Sequence, residues 1–169
     1  LYTKVIGDFG IMTRAQFGYL GYYNRKWGYS PFEGFRVGGD GMSGYDTYGA
    51  DIIALRGYEN YYLTPWEATP YNSNGYYAGN VYDKFTMEFR YPVILQPQST
   101  IFVLGFLEGG NCWSDIKKFN PFQIKRSAGV GVRVFLPMIG LLGIDWGYGF
   151  DNPVKKNRSQ FHFLIGQQF

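Results

Sequence analysis

Cysteine and histidine are almost absent: Cys112 and His162 stand alone in 169 residues. A lone cysteine forms no internal disulfide, so the chain is not a disulfide scaffold. A lone histidine excludes a two-histidine zinc helix motif, and His162 itself reads as a plain wall residue. Charged residues are 17 % of the chain, below the quarter or so usual in soluble domains. The net charge of +3 is small and evenly spread, which excludes a nucleic-acid partner. No apolar run reaches the roughly 18 residues that a membrane helix needs. The longest, near 134–144, is interrupted by Pro137 and Gly140. There is no start methionine and no signal peptide, and Leu1 opens in what reads as the middle of a strand. The chain is therefore expected to be part of a longer protein.

What is abundant is aromatic and glycine: 16 Tyr, 15 Phe and 24 Gly. That is the composition of an all-β chain with aromatic-rich surfaces. A β-like run over 1–17 predicts one strand, with Gly7 and Gly10 suited to curvature. Residues 18–82 carry few regular signals but too many aromatics for disorder. So long a loop makes sense if it folds back into a cavity and works there. At its heart lies Leu55-Arg56-Gly57-Tyr58. Glycine there permits a left-handed turn that pushes the arginine out from the loop tip. Read alone, the tetrapeptide is equally an exposed turn.

From residue 83 the period becomes two, predicting about five strands. Phe85, Met87, Phe89 and Tyr91 alternate with Thr86, Glu88 and Arg90. Thr100–Gly110 follows, mostly apolar. Val130, Val132 and Val134 alternate with Gly129, Gly131 and Arg133. Leu142, Ile144, Trp146, Tyr148 and Phe150 alternate with Gly143, Asp145, Gly147 and Gly149. In the last strand Phe161, Phe163, Ile165 and Phe169 share a face with Gln167, while His162, Leu164, Gly166 and Gln168 share the other. The short and long connections alternate, as in an outer-membrane barrel. A lipocalin-like soluble barrel alternates too, with its apolar face inward. Three features favour lipid outside. The non-apolar face is glycine-rich with isolated charges, the apolar face is continuous and ringed with aromatics, and the last strand would expose its apolar row if unshielded. About six strands cannot close in a membrane alone, so the missing strands must lie elsewhere in the protein or on another chain.

Several motifs in order resemble the BamA family, in the superfamily that also holds TamA and the two-partner secretion transporters. Leu55-Arg56-Gly57-Tyr58 is similar to its loop motif, valine-arginine-glycine-phenylalanine or tyrosine. Phe106-Leu107-Glu108-Gly109-Gly110 resembles its phenylalanine-x-aspartate-x-glycine strand motif, with Glu108 in place of the aspartate. Pro31-Phe32-Glu33 and Gly38-Gly39 resemble the segment before the loop motif. Residues 127–150 are similar to the penultimate hairpin, and the wording of 135–140 is most like Bacteroidota members. Residues 159–169 are similar to the last strand, terminal aromatic included.

The resemblance implies the C-terminal part of an outer-membrane antiparallel β-barrel, about the last six of about sixteen strands. Residues 18–82 become an extracellular loop folded into the lumen. Arg56 is expected to meet Glu108 there, as arginine's planar fork suits a carboxylate. Arg133 and Asp145 either join that pair or stand apart as wall charges. The implied function is insertion of barrel proteins into the outer membrane through a seam at the last strand, with Phe161, Phe163, Ile165, Gly166 and Phe169 as its residues. The alternative is a two-partner pore that exports a soluble protein. Implied partners are outer-membrane lipids, unfolded β-barrel clients and accessory outer-membrane lipoproteins. No cofactor or metal is expected. Nor is enzymatic chemistry: Gly41-Met42-Ser43-Gly44 is no nucleophile elbow, and Gly129-x-Gly131 and Gly147-x-Gly149 lie inside strands.

Overall fold

The computed structural model describes residues 2–6, 9–24, 28–29, 33–41, 49–69, 72–96, 99–137, 140–152 and 158–166. Expectations placed on Pro31, Phe32, Gln167, Gln168 and Phe169 lie outside these residues.

The described residues are all-β apart from a short 3-10 helix at Ile116–Lys118. One antiparallel sheet carries the chain: β1 (Tyr2–Ile6), β2 (Phe9–Tyr19), β7 (Val81–Gln96), β8 (Ser99–Trp113), β9 (Lys125–Leu136), β10 (Gly140–Gly149) and β11 (Ser159–Ile165), in that order. The single strand expected over 1–17 is two strands paired as a hairpin, Tyr2 opposite Met12. With this hairpin the sheet has seven strands, in keeping with the expected count of about six.

Between β2 and β7 runs the long loop, and it is not structureless. β3 (Gly34–Val37) pairs in parallel with β4 (Ala50–Ile53), and β5 (Trp66–Thr69) pairs with β6 (Asn72–Tyr77). Every residue of β3 is buried, so no in–out alternation exists to betray it in the sequence. Gly39 and Leu55 form a bridge just beyond this pair. The Thr64 hydroxyl accepts from the Val37 N–H at 2.8 Å and ties in the following turn.

Period two divides the sheet's faces. On one, Phe85, Met87, Val103, Leu107, Val130, Val132, Ile144, Trp146, Phe161, Phe163 and Ile165 are all exposed. A contiguous apolar surface of that kind needs a cover. On the other, Thr86, Glu88, Phe106, Glu108, Ser127, Arg133, Asp145, His162 and Leu164 are buried, and the loop lies over them. The loop's own apolar cluster forms there: Phe35, Val37, Leu55, Tyr58 and Leu63 pack with Tyr82 and Cys112 of the sheet.

Candidate functional site: the loop anchor

The loop tip is shaped by four glycines. Gly57 has φ +88, a left-handed turn that other residues resist. It lies directly on β10, where a side chain at Gly147 would sit 2.6 Å from the Gly57 nitrogen, and one at Gly149 would sit 2.5 Å from its oxygen. The glycine-rich inner face of β10 is thus a seat for the loop backbone. Gly110 plays the same part for Leu55, whose Cδ1 would lie 3.0 Å from an added Cβ.

Arg56 is only 2 % exposed. Its Nη2 donates to Glu108 Oε1 at 2.8 Å and to Glu88 Oε1 at 2.6 Å, and its Nη1 donates to Asp145 Oδ2 at 3.0 Å. The guanidinium carbon lies over the Phe106 ring, 3.7 Å from the centroid. Burial by itself would lower its pKa; the facing carboxylates of Glu108, Glu88 and Asp145 outweigh that and raise it. The charge is fixed, and three strands share it.

Each carboxylate has a second cation. Glu88 accepts from Arg90 at 2.6 Å, Glu108 faces Lys84 at 3.3 Å and Thr86 at 3.2 Å, and Asp145 accepts from Arg133 Nη2 at 2.7 Å. Three carboxylates and four cations, drawn from β7, β8, β9, β10 and the loop, thus interlock beneath the loop tip. Paired and hydrogen-bonded charges tolerate burial; removing one member costs about 3–5 kcal/mol.

Around the arginine, the loop makes two further bonds to the sheet. The Gly57 N–H donates to His162 Nε2 at 2.8 Å, and the Tyr58 hydroxyl donates to the Arg126 carbonyl at 2.8 Å. Burial pushes the Tyr58 hydroxyl up to about 12, so it remains a donor at ordinary pH. The arrangement consists of buried ion pairs and hydrogen bonds that join the loop to the sheet. Its chemistry is that of an anchor.

The structure brings Leu55, Arg56, Gly57, Tyr58, Phe106, Glu108 and Gly110 together, and places Asp145 between Arg56 and Arg133. Phe161, Phe163 and Ile165 project from the opposite face and take no part. The sequence reading missed Glu88, Lys84 and His162. Glu88 did carry a signal, since its parity places it with Thr86 on the non-apolar face. His162, read as plain wall, is instead a direct partner of the loop tip.

The Omp85 superfamily domain matches residues 1–169. The chain belongs to the Omp85 superfamily. A search of curated proteins finds no match. Omp85 proteins are outer-membrane β-barrel proteins that insert or secrete other proteins, as non-enzymatic assembly or transport factors. Membership implies that this chain belongs to an outer-membrane protein.

Proposed function

We propose that this Omp85 chain is the C-terminal part of a BamA-type assembly factor that inserts β-barrel clients through a seam at β11. The form of β11 carries the reading. It has 7 residues, against 10 in β10, 12 in β9 and 15 in β8. Its register with β10 ends at Leu142↔Ile165; one last bond runs from the Gly166 N–H to the Leu141 carbonyl at 2.8 Å, and Gly166 turns to φ +70. A left-handed residue takes the chain out of strand geometry. A short strand that ends so leaves backbone donors and acceptors for an incoming strand, and edge pairing is a recognition mode in its own right. Unfolded β-barrel proteins are the clients of this reading, outer-membrane lipids its solvent, and accessory lipoproteins its further partners. Against a two-partner secretion pore, which would share the loop anchor, the support is the wording of residues 159–169 and of the Bacteroidota-like 135–140 segment.

In the full-length protein, with Cys112 replaced by serine, a disulfide should join β11 to the strand that closes the barrel against it. The locked protein is expected to stay folded, to stop assembling a client porin and to recover with reductant. Normal client assembly in the locked state overturns the seam. Unimpaired client assembly together with lost export of a soluble partner gives the secretion reading instead.

A further inference from the structure

The Arg56 side chain reaches β7, β8 and β10. The tie to β11 comes from the next residue. Gly57 donates its backbone N–H to His162 Nε2, and both groups are buried. We infer that His162 is a positioning residue that latches the loop tip to the last strand, so that the two hold or release together. The inference deepens the seam reading and takes its functional meaning from it.

Three observations carry it. First, the direction of the Gly57 N–H is fixed: the residue is left-handed at φ +88 and is seated on Gly147 and Gly149. Second, the ring is held opposite. His162 pairs with Asp145 in the β10–β11 register, directly beside the carboxylate that binds Arg56 and Arg133. Third, the bond has one chemical form. A nitrogen that accepts an N–H must carry its lone pair, so Nε2 is unprotonated and the ring's proton is on Nδ1. Protonating Nε2 turns the acceptor into a donor and leaves the buried Gly57 N–H orphaned, which proteins avoid. The charged groups around the ring are Asp40 and Arg56 from the loop, Asp145 from β10 and Glu108 from β8. The latch is therefore made while the imidazole is neutral and lost when it is protonated.

The test is hydrogen exchange followed by mass spectrometry on the full-length protein in lipid nanodiscs, with peptides covering β11 and the loop tip. His162→Leu cannot accept the bond; His162→Gln can, through its amide oxygen. The leucine variant is expected to exchange roughly tenfold faster in both peptides, the order that one buried hydrogen bond is worth, and the glutamine variant to stay near wild type. As pH falls from about 7.5 to about 4.5, a range that runs well below the ordinary imidazole value, wild type should lose protection relative to the intrinsic exchange rate and His162→Gln should not. Unchanged exchange in the leucine variant overturns the latch. So does a glutamine variant as fast as leucine, or one with the wild-type pH profile; this last comparison does not require the leucine variant to fold. Client assembly is measured separately. Changed exchange with normal assembly supports the latch, and the seam reading then stands or falls with the disulfide lock; unchanged exchange with impaired assembly removes the latch alone.

Discussion

Glu108 grips Arg56 at two places: Oε1 accepts from the guanidinium at 2.8 Å, and Oε2 accepts from the arginine's own backbone N–H at 2.8 Å. One carboxylate therefore fixes both the charge and the path of the loop. The glutamate spans the two because its oxygens point to different parts of the same residue, side chain and main chain.

That double grip makes the two residues strongly coupled. Arg56→Ala and Glu108→Ala are each expected to destabilise the loop by about 3–5 kcal/mol. The double variant should lose less than the sum, with a coupling energy of about 1–3 kcal/mol. Thermal unfolding, followed by heat-modified gel mobility of the full-length protein, measures it. Simple additivity would show that the pair does not act as one unit.

A point charge should not replace the fork. Arg56 serves Glu108, Glu88 and Asp145 from two nitrogens with its guanidinium carbon over the Phe106 ring. Arg56→Lys keeps the charge but loses the planar fork and the divided geometry. Protease accessibility of the loop is expected to rise nearly as far as in Arg56→Ala. A lysine variant as protected as wild type would mean that charge alone holds the tip.

The seat can be filled without touching a charge. Gly147→Ala places a methyl 2.6 Å from the Gly57 nitrogen. It should cost about 1–3 kcal/mol through overpacking, with the loop displaced and the sheet intact. Loop proteolysis that rises while the folded gel species persists is the expected readout. Loss of the folded species would instead place the damage in the sheet.

Tyr58 provides a pH test whose sign is fixed by its raised pKa. Burial moves its hydroxyl from 10.0 to about 12. Its contribution is complete below about pH 10, the unfolded value, and is lost as pH rises toward about 12. Tyr58→Phe removes the bond to the Arg126 carbonyl at a cost of about 0.5–1.5 kcal/mol. Wild type should therefore lose its stability advantage over the variant above about pH 10. An advantage that stays constant through that range would remove the hydroxyl from the account.

Orientation is checked at neighbouring positions. In a Cys112→Ser background, fluorophores on single cysteines at Val132, Ile144, Trp146 and Phe163 should be quenched by brominated lipid chains, since these side chains project from the exposed apolar face. Cysteines at Arg133 and Asp145, on the buried face, should not be. Quenching at 145 with none at 144 would reverse the two faces.

Sequence legibility followed the physics of each element. Long strands announced themselves, because one face is apolar and the other is not; β7, β9 and β10 stand where their alternation lies. The short β3 did not, because all four of its residues are buried and alternation vanishes. The break between β1 and β2 falls among residues whose glycines suit a bend and a turn equally. In the anchor, Arg56 and Glu108 were readable from motifs. Glu88 was readable only as the polar half of a strand, since its partner is 32 residues away across the loop. His162 was not readable, because its partner is a backbone N–H, which leaves no trace in residue type.

The contacts of the loop tip also order events in time. Arg56 meets Asp145 across 89 positions and Gly57 meets His162 across 105. A chain made from its N-terminus emits the loop long before β10 and β11 exist, and distant contacts form late. Until β11 has been made and laid in register, the arginine has some of its carboxylates and the glycine has no imidazole. Seating of the tip is thus a completion mark, reached only once β11 is in place.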